Sequence, residues 1–88
     1  MNLERLRKTI DQLNAEIIQL FSERLKVTKE IAKIKKEQNL PINDFVREEE
    51  QLQLLRDLAR RHELSPAVIE EIFQLFVDYS KLIMKMEL

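Results

Sequence analysis

Apolar residues in the first part of the chain fall at Leu3, Leu6, Ile10, Leu13, Ile17 and Leu20, then at Val27, Ile31 and Ile34. The steps of three and four match one face of an α-helix. One position of the seam, Arg24, holds a cation where Leu or Ile is expected. No Gly or Pro interrupts residues 3–38, so the pattern predicts one unbroken amphipathic helix over that range. A charge on an otherwise apolar face needs a partner, because desolvating an unpaired charge is expensive. At 1.5 Å per residue such a helix is roughly 54 Å long. A compact chain of this length has a diameter of only about 30 Å. The seam outruns what the chain can cover, and the simplest solution is a two-fold dimer with the long helices side by side. The alternative, a helix broken near its middle to give a monomeric four-helix bundle, lacks a breaker residue.

The first break in the pattern is at residues 39–43, where Pro41 disfavours helix at Leu40 and Asn43 or Asp44 can cap the next helix. That second helix is expected over residues 44–63, with Val46, Leu52, Leu55, Leu58 and Ala59 on its apolar side. Asp44, Arg47, Glu48 and Gln51 stand at i, i+3, i+4 and i+7 and form a polar stripe along its first turns. A solvated face is the ordinary explanation of such a stripe. Ser65-Pro66 supplies an N-cap and a first-turn proline for a third helix over residues 66–85. Two apolar stripes run along it, Ile69, Ile72, Phe76, Tyr79 and Ile83 on one side and Phe73, Val77 and Met84 beside them. A helix apolar over that much of its girth is covered on more than one side. Ser80 falls within the second stripe, where a small hydroxyl ordinarily bonds back to its own helix. The expected fold is all-α: a single domain over residues 1–88 with one long and two shorter helices, paired through the long helix in a two-fold dimer.

Composition narrows the function classes. The 88 residues contain no Gly and no Cys, with 44% hydrophobic and 35% charged residues, which suits a soluble helical protein without disulfides or thiolate metal sites. No apolar run approaches the roughly 18 residues of a membrane span, and no apolar signal core opens the chain, so a cytoplasmic location is expected. The net charge is −1, which argues against a nucleic-acid binder. The charge is uneven: residues 1–38 carry nine Lys/Arg against six Asp/Glu, and residues 39–88 six against ten. A local cluster of cations can still hold a small anion.

The single histidine, His62, lies among charges and reads as a solvated residue. No Ser/His/Asp set, metal-ligand spacing or Gly-rich phosphate loop can be assembled. The remaining candidates are cations in unusual places. Lys35 lies eleven residues after Arg24, about 20° around the helix and about 16 Å along it, so the two side chains can reach toward a small dianion between them. The plainer reading is that Arg24 pairs with a buried acid and Lys35 is solvated. Arg7 precedes Arg24 by about 25 Å and about 100° of rotation. It reaches that place only from an antiparallel partner helix.

The order Arg7, Arg24, Lys35, Asp44, the pair Arg47-Glu48, then Ser80, with the turn Pro41-Ile42-Asn43-Asp44, resembles the all-helical (AroQ-class) chorismate mutases over residues 3–84. The resemblance implies an intertwined homodimer with two sites. It also implies an intramolecular Claisen rearrangement of chorismate to prephenate without cofactor, metal or covalent intermediate. Carried over by position, it implies that the partner's Arg7 and the chain's own Arg24 clamp the substrate carboxylates. Arg47 adds positive charge, and Ser80 hydrogen-bonds a carboxylate. Glu48 accepts from the substrate hydroxyl with help from the Asp44 backbone N–H, and Lys35 donates to the ether oxygen. Ile31 and Val77 wall the ring.

One position departs from the pattern. The family usually has Gln or Glu one turn after Ser80, as a second donor to the ether oxygen, and this chain has Met84. A thioether donates nothing. Losing one donor aimed at transition-state charge costs about 10²–10³ in kcat. The expectation is a chorismate mutase weakened at Met84. The other readings are a non-catalytic or engineered helical ligand-binding scaffold of the same fold, and pyruvate elimination from isochorismate.

Overall fold

The computed structural model describes residues 2–87. They form three helices, α1 (Leu3–Glu37), α2 (Phe45–Arg61) and α3 (Pro66–Glu87), and among the described residues there is no strand. α1 is continuous over 35 residues, as the absence of a breaker requires. The Asn2 side chain starts it by accepting from the Glu4 N–H at 2.9 Å. Of the two caps open for α2, Asp44 is used: its Oδ1 accepts from the Arg47 N–H at 3.0 Å. Ser65 accepts from the Val68 N–H at the start of α3, with Pro66 in the first helical position.

Both turns close without glycine. After α1, the Leu40 N–H reaches the Lys35 carbonyl at 2.7 Å and the Asn39 N–H reaches Lys36. After α2, the Leu64 N–H reaches the Ala59 carbonyl at 2.8 Å and the Glu63 N–H reaches Arg60. Both are Schellman caps, which place one residue in the left-handed region. Asn39 (φ 56°) and Glu63 (φ 58°) occupy those positions. Asn tolerates the conformation, whereas Glu carries the full Cβ penalty.

α3 packs against both other helices, while α1 and α2 make no close backbone approach to each other. Phe21 on α1 stacks on Phe76 with ring centroids 4.6 Å apart and meets Tyr79 at 5.7 Å. On the other side Arg56 of α2 forks onto Glu70 of α3, at 3.1 Å from Nε and 2.9 Å from Nη2. That hydrogen bonding, opposed in part by desolvation and aided by the guanidinium charge, holds the Glu70 carboxyl below the usual glutamate range. Phe73 and Val77 of the second stripe meet Leu52 and Leu55 of α2 across a small cleft, while Ile72 and Tyr79 of the first stay partly open.

The fold is elongated. Its extents are 56 × 25 × 15 Å and its radius of gyration 16.2 Å, against about 12 Å for a compact chain of this length. Only Ala32, Ala59, Ser80 and Met84 are buried among the described residues. Along residues 2–20 every residue is exposed, and Leu3, Leu6, Ile10, Leu13 and Ile17 have 46–60% of their surface open. Isolated exposed apolar residues are ordinary, but a continuous helical stripe of them marks a contact surface. No described helix is long and apolar enough to cross a membrane.

Candidate active site

The second half of α1, the start of α2 and the end of α3 enclose an open cavity of about 520 Å³. Each wall follows from helix periodicity. α1 presents Arg24, Thr28, Ile31 and Lys35 to it, spaced three or four residues apart. The polar stripe of α2 enters as Asp44, Arg47, Glu48 and Gln51. α3 closes the third side with Val77, Ser80, Lys81 and Met84. Nine of the ten candidate residues therefore line one cavity: Arg24, Ile31, Lys35, Asp44, Arg47, Glu48, Val77, Ser80 and Met84.

The tenth, Arg7, lies elsewhere in the single chain. Its guanidinium is 3.1 Å from Glu4 Oε1 in an exposed pair on the first turns of α1. His62 ends α2 as its C-cap, is exposed and does not line the cavity. Among the described residues no three His, Cys, Asp or Glu side chains are grouped as a metal site requires.

The polar groups in the cavity are tethered to neighbouring elements. Arg24 Nη1 donates to Ser80 Oγ at 3.3 Å, joining α1 to α3, and Ser80 Oγ donates to the Phe76 carbonyl at 2.8 Å. Ser80 is thus bonded back to its own helix and also turned toward the cation. The plainer reading of Arg24 as the partner of a buried acid does not hold: its partner is a neutral hydroxyl. Lys35 Nζ donates to the Ile42 carbonyl at 2.8 Å, which ties α1 to the turn after it. It is half-buried rather than solvated. In both contacts the cation meets a neutral acceptor, so its charge stays available to an anion entering the cavity. Arg47 is more exposed and reaches Glu50 at 3.8 Å, too long for a firm ion pair.

Met84, 6% exposed, sits in the wall between this cavity and a smaller one of about 320 Å³ lined by Ala32, Lys36 and Leu40. Lys35, Ile42 and Met84 face both. The lining residues not among the candidates are Val27, Thr28, Ile42, Gln51 and above all Lys81, whose Nζ lies 2.6 Å from Glu48 Oε1. The available signal for Lys81 was its place four residues after Val77, which puts both on one face of α3. Thr28 was marked by the same spacing from Arg24, whose carbonyl its hydroxyl reaches at 3.0 Å.

A family model described as chorismate mutase type II matches residues 6–85. A chorismate mutase of Methanocaldococcus jannaschii is 33% identical over 83 residues, which cover 94% of this chain and 84% of that protein. The T-protein of Haemophilus influenzae is 37% identical over 78 residues, 89% of this chain and 21% of that protein. A bifunctional chorismate mutase/prephenate dehydratase of Aquifex aeolicus is 48% identical over 48 residues, 54% of this chain and 13% of that protein. The chain thus spans most of the Methanocaldococcus jannaschii relative and about a fifth or less of the other two.

Proposed function

This chain belongs to the chorismate mutase type II family, and we propose that its cavity binds chorismate and rearranges it to prephenate by an intramolecular Claisen step. The observation that carries the reading is the grouping of Arg24, Lys35 and Arg47 in one cavity with the apolar Ile31 and Val77 and the acid Glu48. An ether bond breaks and a carbon–carbon bond forms within one molecule, so no group is transferred to the protein. Such a reaction gains from holding a flexible substrate compact and from stabilising charge that grows on the ether oxygen. Arg24 would grip a carboxylate with its fork, supported by Ser80. Lys35, already ordered by the Ile42 carbonyl, would turn its ammonium to the ether oxygen. Glu48 would accept from the ring hydroxyl, and Asp44, as the cap of α2, would fix the turn from which Arg47 and Glu48 project.

A homodimer belongs to the same proposal. The uncovered apolar stripe on the first half of α1 supports it, because pairing that stripe with its twin removes the stripe from water and carries Arg7 toward the partner's Arg24. Met84 would leave the ether oxygen with Lys35 as its donor and so lower the rate. A cytoplasmic location goes with the same reading. The test is a chorismate assay on purified protein with identification of the product. Conversion to prephenate above the uncatalysed rate is expected. Chorismate left at the background rate, while isochorismate supplied in a parallel assay loses pyruvate or is also left unchanged, would overturn the proposal.

A further inference from the structure

The cations of the cavity are not equivalent. Arg24 and Lys35 contact neutral acceptors, a hydroxyl and a carbonyl. Lys81 is spent on an acid: its Nζ is 2.6 Å from Glu48 Oε1, and the two side chains are only 29% and 32% exposed. The other carboxylate of the cavity, Asp44, is turned to the Arg47 N–H at the start of α2. Glu48 is therefore the anion that an incoming dicarboxylate would meet, and like charges at close range in a partly desolvated site repel strongly. The pair also spans two helices, with Glu48 on α2 and Lys81 on α3. Holding one carboxylate oxygen from α3 fixes the direction of the other.

We propose that Lys81 is a positioning residue for the reaction: it offsets the charge of Glu48 against the substrate carboxylates and holds Oε1, leaving Oε2 to accept the substrate hydroxyl. This rests on the reading of the cavity as a chorismate site. The competing account is an interhelical ion pair that only joins α2 to α3, as Arg56 and Glu70 do further along the same pair of helices. Loss of a purely structural pair lowers stability. Loss of a counter-charge raises KM, and it does so only while Glu48 is charged.

Steady-state kinetics on Lys81→Met, Lys81→Arg, Glu48→Gln and the double variant Glu48→Gln/Lys81→Met separate the two accounts, with urea unfolding alongside. Lys81→Met is expected to raise KM for chorismate at least about tenfold while kcat falls less than about threefold. Lys81→Arg should stay within about threefold of wild type, because it keeps the charge. In the Glu48→Gln background, where a neutral amide needs no counter-ion, adding Lys81→Met should move KM less than about threefold. The double variant removes both charges and carries that comparison even if Lys81→Met alone does not fold. An unchanged KM in Lys81→Met, or an equal rise in both backgrounds, would overturn the proposal while an active wild type leaves the chorismate reading standing. A wild type that neither turns over chorismate nor binds it by calorimetry would overturn both.

Discussion

At the scale of single residues, the account turns on Met84. It is buried in the wall of the cavity that Lys35 also lines, at the position where the resemblance to the family implies a hydrogen-bonding side chain. Its thioether fills the volume and donates nothing. Met84→Gln is therefore expected to raise kcat at least about tenfold, a floor set below the roughly 10²–10³ that one transition-state donor contributes. An unchanged rate would show that Met84 does not hold this role or that a neighbour such as Lys85 has taken it. Arg24 is recognisable from periodicity alone, because a cation that interrupts an apolar seam is a visible misfit. Lys81 is not. Its spacing from Val77 and Met84 marks only its face of α3, and the packing of α2 on α3 is what brings Glu48 to it. Ser80 illustrates a third case: its hydroxyl both bonds back to Phe76 and accepts from Arg24, two roles that compete when only the sequence is considered.

At the scale of elements, helix extents followed from the seam and from the two prolines. The ends depended on local chemistry. The chain has no Gly, yet both helix-ending turns demand a left-handed residue, and they use Asn39 and Glu63. The apolar pattern extends α2 to residue 63, whereas the helix stops at Arg61 because Glu63 has already left helical space to form the cap. α3 runs to Glu87, two residues beyond its expected end, since no breaker interrupts it. Glu63→Gly should stabilise the fold by about 0.5–1 kcal/mol, because Gly adopts positive φ without the Cβ clash, at some entropic cost in the unfolded chain. Urea unfolding measures it, and a loss of stability would show that the exposed Glu63 side chain contributes more than its conformation costs.

At the scale of the whole molecule, the single chain leaves half of its longest helix uncovered. A rod 56 Å long leaves the apolar stripe from Leu3 to Ile17 in water. The same half of α1 carries Arg7, far from the cavity that the rest of the chain builds. That the long helix exceeds what its own chain can cover was legible from length and periodicity. The geometry of pairing was not, because it depends on how two surfaces fit, and a one-dimensional pattern does not encode that fit. Under the proposed function, dimerisation and catalysis depend on one element, so neither is expected to survive its loss. The central claim, a chorismate mutase site shared between two chains, is tested most directly by mixing two defective variants, Arg7→Ala and Arg24→Ala, and refolding them together. Each alone should be nearly inactive on chorismate. In a mixed dimer one of the two sites has both arginines, so random pairing should restore about a quarter of the wild-type rate. A mixture no more active than its two components, or an Arg7→Ala protein as active as wild type, would contradict the account.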